Sequence, residues 1–449
     1  MCSNHDVDND GLMLMEKVDK PNLTGQWCRK CVDKIEAKVV LRKKDAYCKQ
    51  CFLSSVSHKF RACLGKSKTM RPGDKVLVGF SGTDNSVALL HLIQTGVQEI
   101  SHKRLMFEPC VAYIDEGTAL QLRSEESNRI SESVDGILQT FSYPVYKVPL
   151  ELAIESEEVV ENFINGGSNL IETSNLCALF ESISDITSKM DLLCKLRYNL
   201  LIQVAKALGC NKMFTAETAD DLAVRLMTNV SLGRGSQLPY DVGFSDERCP
   251  EVKVVRPLRD LSKKELTFYN VFHRLKSAHI PSLSTMADTH SSIQKLTESF
   301  LCELQDGFPS TLSTVFRVAD KLTTTSGERS VCPLCKTPLD ADDVASSSLR
   351  ATQFSRLVSS SGPSKLAEET STQDSSSNSE TRCCGDNSST SNSCSKRNIT
   401  NELQMMLCYS CKLILKNADI DKLPAPVIQK LRESNQRFRM KKEIEQFLL

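Results

Sequence analysis

The chain has 449 residues, with 56 Lys and Arg against 56 Asp and Glu, so its formal net charge is zero. That length accommodates a full α/β domain plus smaller units, and the neutral balance excludes a protein that binds polyanions over its whole surface. No apolar run approaches the ~20 residues that cross a bilayer, and the opening MCSNHDVDNDGLMLMEK lacks a signal-peptide core, so a soluble intracellular protein is expected.

Residues 1–24 are expected to be disordered. Of the 19 cysteines, eight fall in four C-x-x-C pairs, where chance would supply roughly one. In a reducing compartment such pairs point to metal before disulfides. CRKC and CKQC stand sixteen residues apart, a spacing suited to four thiolates on one ion. Cys28, Cys31, Cys48 and Cys51 are therefore assigned to a zinc knuckle over 25–67, with an iron–sulfur centre as the alternative. A metal here stands in for a core that so short a segment cannot build. From Cys28 to Lys75 there are 14 Lys or Arg against 4 Asp or Glu. This block either meets a phosphate backbone or is a solvated basic face.

Residues 68–325 alternate strand and helix. KVLVGF is read as a buried strand, followed by a helix opening near Ser86 and closed by Gly96. Strands follow at 110–114 and over VYKVPL from Pro144, with a helix around SESVDGILQTF between them. The stretch 187–208 carries Leu192, Leu193, Leu196, Leu200, Val204 and Leu208 on one apolar stripe, with Gly209 as its cap. KMFTA leads into the helix DDLAVRLMTNV, and VKVV into RPLRDLSKKEL, where Ser262 and Glu265 form a capping box. Such alternation predicts an α/β fold: a parallel, doubly wound sheet with helices on both faces and ligands beyond the C-terminal strand ends. The turn SGTDNS sits at that end of the first strand.

Over 326–415 the pairs CPLC and CYSC are assigned to a second zinc site, a ribbon of Cys332, Cys335, Cys408 and Cys411. Seventy-two residues separate the pairs, and 345–400 holds 18 serines, so this insert is expected to be disordered. Loop-closure entropy grows only with the logarithm of length, which leaves the site feasible. The tail 416–449, with VIQKLRESNQRFRMKKEIEQFLL, reads as a basic amphipathic helix that packs on the core, a partner or RNA.

The SGTDNS turn has neither the G-x-x-x-x-G-K-[ST] nor the G-x-G-x-x-G pattern. It resembles the S-G-G-x-D-S pyrophosphatase loop of the adenine-nucleotide α-hydrolase superfamily, in which serine hydroxyls, glycine amides and a helix N-terminus hold pyrophosphate. Ser81, Gly82 and Ser86 match; Thr83 replaces the second glycine and Asn85 the aspartate. A Cβ at 83 is expected to crowd a phosphate and to oppose a positive φ. The order of cysteine knuckle, this loop, LGCNKMFTAETADDLAVRLMTNVSLGRGSQLP and a cysteine-pair C-terminus resembles the cytoplasmic tRNA 2-thiolation protein 2 family, over about 25–330 and 332–415.

The resemblance implies an adenine-nucleotide α-hydrolase-like sheet flanked by zinc modules. It implies a degenerate nucleotide site at Ser81, Gly82, Thr83, Asn85, Ser86, Asp220 and Asp221, and leaves open whether ATP still binds. The catalytic relatives carry T-G-H-N-x-D-D where this chain runs from Thr215 to Asp221, and a C-x-x-C at positions held here by Met190 and Leu193. Cys194 lies one residue on, about 100° around the helix, and reads as a small buried hydrophobe facing elsewhere. In such enzymes ATP adenylates the uridine carbonyl oxygen and a sulfur nucleophile then attacks the carbon. Thr83 and Asn85 compromise the first half here, and the second lacks every thiol the pattern calls for, which implies a non-catalytic or weakly catalytic chain. The implied role is a non-catalytic cytoplasmic subunit in 2-thiolation of the tRNA wobble uridine. It would bind tRNA through Arg29, Lys30, Arg42, Lys43 and Lys44, beside a homologous catalytic subunit supplied with sulfur by a ubiquitin-like carrier. Two alternatives stand beside it. One is an autonomous ATP-dependent tRNA sulfurtransferase using Ser81, Ser86 and Asp220 with Cys194 or Cys210; the other is a zinc-ribbon nucleic-acid adaptor unconnected with thiolation.

Overall fold

The computed structural model describes residues 26–339, apart from 34, 42–44, 101–103, 168–172, 287, 289, 309–310, 320 and 323–330, together with 355–356, 406–415, 423 and 425–447. The stretches 1–24 and 345–400, expected to be disordered, lie outside the described residues save for 355–356.

An antiparallel pair, β1 (Val39–Leu41) and β2 (Asp45–Tyr47), leads into α1 (Lys49–Ser67), whose N-cap Cys48 accepts from the Cys51 N–H. The first half of the main unit comprises β3 (Asp74–Phe80), α2 (Asp84–Val97), β4 (Phe107–Asp115), α3 (Ser124–Leu138) and β5 (Val145–Pro149). A 3-10 turn over 150–154, α4 (Glu157–Ile164) and α5 (Thr173–Glu181) carry the chain to α6 (Ile186–Ala207). The second half runs through β6 (Lys212–Phe214), α7 (Ala219–Ser231), α8 (Leu238–Val242), β7 (Ser245–Asp246), β8 (Lys253–Val255) and α9 (Lys263–His273). Then come α10 (Leu283–Met286), α11 (Ile293–Gly307), α12 (Thr311–Ala319), α13 (Tyr409–Ile414) and α14 (Ala425–Phe447).

The six main strands form one sheet in the order β5-β4-β3-β6-β8-β7, parallel throughout except for the antiparallel edge β7. This is the doubly wound sheet that the alternation predicts. Side chains explain why both faces are covered. Val76, Val78, Val111 and Tyr113 enter one apolar layer with α1, α2, α3 and α9, whereas Leu77, Ala112 and Ile114 enter the other with α4, α5 and α6. A strand apolar on both alternating faces is stable only between two helical layers. Winding runs from β3 outward through β4 to β5, then crosses back to set β6 on the other side of β3. The two strand ends part there, which opens a crevice.

α6 ends as expected. Gly209 takes φ +65, its N–H donates to Lys206 and the Cys210 N–H donates to Ala205 at 2.8 Å, a paired closure that favours glycine. Gly96 does not close α2, contrary to its reading as a terminator. The helix continues to Val97, and a Cβ at 96 would collide with the Leu105 side chain, so close packing explains the glycine. The C-terminal cysteines are built into the main core: Cys332, Cys335, Cys408 and Cys411 share the layer of Leu77 and α6 with Leu334, Leu407, Ile414 and Leu415. Leu431 of α14 is buried in the same layer, which places the start of the tail helix on the core. Among the described residues no helix is long and apolar enough to cross a membrane.

Candidate nucleotide cleft and cysteine metal sites

A cleft of about 660 Å³ opens beyond the C-terminal ends of β3 and β6. Ser81 and Thr83 line it from the loop after β3, Thr215 and Glu217 from the loop after β6, and Asp221 from α7. The sharp backbone turn falls at Gly82, φ +74, whereas Thr83 has φ −74 as the N-cap of α2. Position 83 therefore asks for no positive φ, and that part of the case against Thr83 lapses. What Thr83 changes is hydrogen bonding. Its Oγ1 and the Ser81 Oγ bond each other at 2.9 Å, and the Ser86 Oγ donates to the Thr83 carbonyl at 2.9 Å. The hydroxyls are thus engaged within the loop.

The loop is also covered. The Ala278 N–H donates to the Gly82 carbonyl at 2.9 Å, and a Cβ at 82 would stand 2.5 Å from Ile280 Cδ1. Gly82→Ala is accordingly expected to lower stability by about 1–3 kcal/mol, from backbone strain and steric overlap together. An unshifted urea midpoint would count against this packing.

The remaining predicted residues meet around α7. Asn85 Nδ2 donates to Asp221 Oδ2 at 3.1 Å. The same carboxylate accepts from the Thr218 N–H at 3.0 Å and the Thr218 hydroxyl at 2.7 Å, which closes a capping box, and pairs with Lys263 at 2.9 Å. Asp220 accepts from the Lys263 N–H at 2.8 Å, and its burial raises its pKa. Both acids are committed to holding the α7 and α9 helix starts together.

Arginines in the cleft carry their own counter-ions. Arg197 forks onto Glu116, with Nη2 at 2.8 Å. Arg256 Nε meets Glu217 at 2.7 Å, and Arg225 grips the same carboxylate. Arg234 pairs with Asp191 at 2.5 Å and Arg248 with Asp241 at 2.9 Å. Burial alone would raise the pKa of Glu217, but Arg225 and Arg256 hold it at about 2. Glu217 stands where the catalytic relatives' motif has histidine. The substitution is visible in the sequence but its partners are not, because they come from α7 and the end of β8.

Cys194 is exposed and lines the cleft with Met190, whereas Leu193 is buried. This corrects the expectation of a buried thiol facing elsewhere. Asp191, Cys194, Lys195 and Tyr198 form a cleft-facing stripe on α6, opposite the buried Leu192, Leu196 and Leu200. Enclosure by the cleft walls raises the thiol pKa of Cys194 against the pull of Arg197 and Arg225, so at neutral pH it is mostly the weakly nucleophilic thiol. Cys210 is buried ahead of β6 with its Sγ 3.5 Å from that of Cys110.

The Sγ atoms of Cys28, Cys31, Cys48 and Cys51 lie within 4.8 Å of one another, and so do those of Cys332, Cys335, Cys408 and Cys411. Both sets can hold a metal. Four sulfurs so close suit a single tetrahedral ion, whose ~2.3 Å bonds set them about 3.8 Å apart. A cluster of several irons spreads its thiolates more widely. In the first set Cys31 and Cys51 are partly exposed; in the second all four are buried. Gln237 Nε2 donates to Cys408 Sγ at 3.0 Å. Burial would lower the Lys195 pKa, but Cys411, Cys335 and Cys408 raise it, and its ammonium would offset the charge of a metal–tetrathiolate group held there. Cys335 also lines the cleft, so this group forms part of its wall.

Of the proposed RNA contacts, Arg29 is well exposed and pairs with Asp45 at 2.7 Å, and Lys30 lies over the Tyr47 ring at 5.7 Å. Arg42, Lys43 and Lys44 lie outside the described residues.

A family model described as cytoplasmic tRNA 2-thiolation protein 2 matches residues 292–413, and a PP-loop domain model matches 53–282. The chain is 34% identical over 491 residues to cytoplasmic tRNA 2-thiolation protein 2-A of Xenopus laevis, covering 95% of this chain and 94% of the relative. To cytoplasmic tRNA 2-thiolation protein 2 of Danio rerio it is 32% identical, over 100% of this chain and 99% of the relative. Among solved structures, the U34-tRNA thiolase NcsA from Methanococcus maripaludis with its [4Fe-4S] cluster superposes with a TM-score of 0.51 at 18% identity, covering 67% of this chain and 92% of that one. That likeness speaks for the fold.

Proposed function

Since the chain belongs to the cytoplasmic tRNA 2-thiolation protein 2 family, we propose that it serves 2-thiolation of the wobble uridine as the non-catalytic, tRNA-binding subunit of a cytoplasmic pair. The homologous partner supplies the intact ATP and sulfur sites and receives sulfur from a ubiquitin-like carrier. The observation that carries this reading is the state of the cleft. Its loop hydroxyls bond one another, its acids cap helices, and its arginines are neutralised by Glu116, Glu217, Asp191 and Asp241. A triphosphate entering there would have to displace carboxylates already hydrogen-bonded to the cations it needs. Zinc is the metal assigned to both four-cysteine sets, on sulfur spacing. The corresponding organisation is a knuckle at 25–67, the α/β unit at 68–325, a ribbon at 326–415 packed into that unit's core, and a tail at 416–449.

The full chain, purified alone and with its homologous partner, is to be given tRNA, ATP and a sulfur donor, with 2-thiouridine measured by mass spectrometry. Product is expected only with the partner; product from the chain alone overturns the non-catalytic assignment. One observation favours the autonomous enzyme instead, the exposure of Cys194 to the cleft. Cells carrying Cys194→Ser as the sole copy separate the two readings. Thiolated tRNA is expected at wild-type abundance, whereas an autonomous enzyme using this thiol would lose its product.

A further inference from the structure

We propose that Lys49, Arg274 and Lys276 form a phosphate track on the face where α1 meets α9, along which a tRNA backbone runs from the N-terminal cysteine set to the mouth of the cleft. The inference rests on the tRNA-binding reading above and adds to it a surface outside the knuckle.

Packing sets the track out. Phe52 of α1 meets Phe268 and Phe272 of α9 edge-on, with ring centroids 6.4 and 5.7 Å apart, which holds the two helices together. Lys49 is exposed and opens α1 beside Cys48 of the first cysteine set, and its ammonium lies 5.6 Å over the Phe272 ring. Just beyond Phe272, Arg274 closes α9; it is exposed, as is Lys276. Between Arg274 and Ile280 the chain arrives at the cleft, where the Ala278 N–H donates to the Gly82 carbonyl and Ile280 joins the lining. Arg274 also stands out by its backbone. It takes φ +55, the left-handed conformation in which a helix closure favours glycine. A residue held there at a conformational cost points to a use for its side chain.

Charge selects the occupant. No Asp or Glu occurs from Ala46 to Gly73, which includes α1, or from Leu266 to Ala287, which includes most of α9. Acids from elsewhere neutralise two other cations of α1, Lys59 through Glu265 and Arg61 through Glu99. Among the described residues no carboxylate pairs with Lys49, Arg274 or Lys276. The Phe272 ring orients Lys49 without cancelling its charge. Burial and Lys49 together lower the His273 pKa, so that ring stays neutral at pH 7. Three unneutralised cations between a cysteine module and a cleft suit a polyanion of evenly spaced charges, which offers each a phosphate.

The test takes the full chain with the subunits that co-purify and measures tRNA affinity over a range of salt concentrations, with metal content and melting temperature. Arg274→Gly and Lys276→Gln are each expected to weaken binding about 3- to 30-fold and to make the slope of log affinity against log salt shallower by about one. Adding Lys49→Gln to both should make it shallower by about two to three in all. Arg274→Lys keeps the charge and should stay within about threefold of wild type. Metal content is expected to be that of wild type throughout. Arg274→Gly should melt at or above the wild-type temperature, because glycine accepts the left-handed closure. A lower melting temperature with an unchanged salt slope would make Arg274 a charge that serves only its helix end, and would overturn the track. Equal affinity and slope for the triple variant and wild type would overturn it too, and leave the tRNA-binding reading standing. Absence of tRNA binding by the wild-type complex would remove both. Loss of a co-purifying protein with RNA affinity unchanged would reassign the face to a protein interface and likewise overturn the proposal.

Discussion

Cys411→Ser is expected to abolish folding of the whole α/β unit and to leave one equivalent of metal per chain in any protein that survives. A structural tetrathiolate zinc contributes on the order of 10 kcal/mol, which is comparable with the entire stability of a typical domain. A metal held by the C-terminal set would act on the main core. Cys411 and Cys332 are fully buried among Leu334, Leu407, Ile414 and Leu415, in the layer that also holds Leu77 and the apolar stripe of α6. Losing the metal there leaves several thiols buried without a ligand and loosens the wall against which α6 packs. Cys31→Ser should behave differently. Cys31 is partly exposed, and the hairpin of β1 and β2 that it serves lies apart from that layer. Its loss should cost one metal equivalent and fray the start of α1, with the main unfolding transition nearly in place. Metal stoichiometry, soluble yield and thermal melts of the two variants test the contrast. Equal destabilisation by both would show that the C-terminal site is no more central than the knuckle.

Glu217→Gln is expected to destabilise the chain by about 3–5 kcal/mol, the range for breaking a buried ion pair, which lowers the melting temperature by roughly 10 °C. Arg256 is 2% exposed and has Glu217 as its charged partner. The amide keeps the shape but takes from a buried guanidinium its ion-pair partner. Acid titration gives an independent reading. The folded carboxyl stands at about 2 against an ordinary value of 4.5, so the unfolded state binds the proton first. The ion pair therefore contributes fully above about pH 4.5, and its contribution falls away as pH drops from there toward 2. Asp74, beside Lys212, and Asp246, beside Arg248, are also held low against their burial and push stability the same way. In urea melts from pH 7 to pH 3, the gap between wild type and Glu217→Gln should narrow on acidification. A gap that stays constant would mean that Glu217 acts through packing rather than charge.

The architecture was largely legible because it follows local patterns. The stripe of α6, the Gly209 cap and the alternating strands each appear in the sequence as a short-range period that a helix or strand must bury. The site was legible in part. Pairs of cysteines announce themselves by spacing, whereas the exposure of Cys194 shows only in the company it keeps around the helix. Set beside Asp191, Lys195 and Tyr198 at helical intervals, it falls on the polar side of α6, and that signal was present. The Glu217 network was not readable. Arg225 lies eight residues away and Arg256 thirty-nine, and only the parallel placement of β6 beside β8 brings their elements together. Gly96 shows the same limit, since a glycine kept for the approach of Leu105 looks in one dimension like a helix stop.

Completion of one sheet face by Leu407, Leu415, Leu423 and Leu431 has a consequence for biosynthesis. The strands emerge from the ribosome long before the segments that cover them, so the nascent chain carries a bare apolar surface while more than a hundred further codons are read. Such a surface is prone to aggregate until the C-terminal segments cover it. A premature stop codon anywhere upstream of 431 yields a product that proteolytic surveillance should recognise at once.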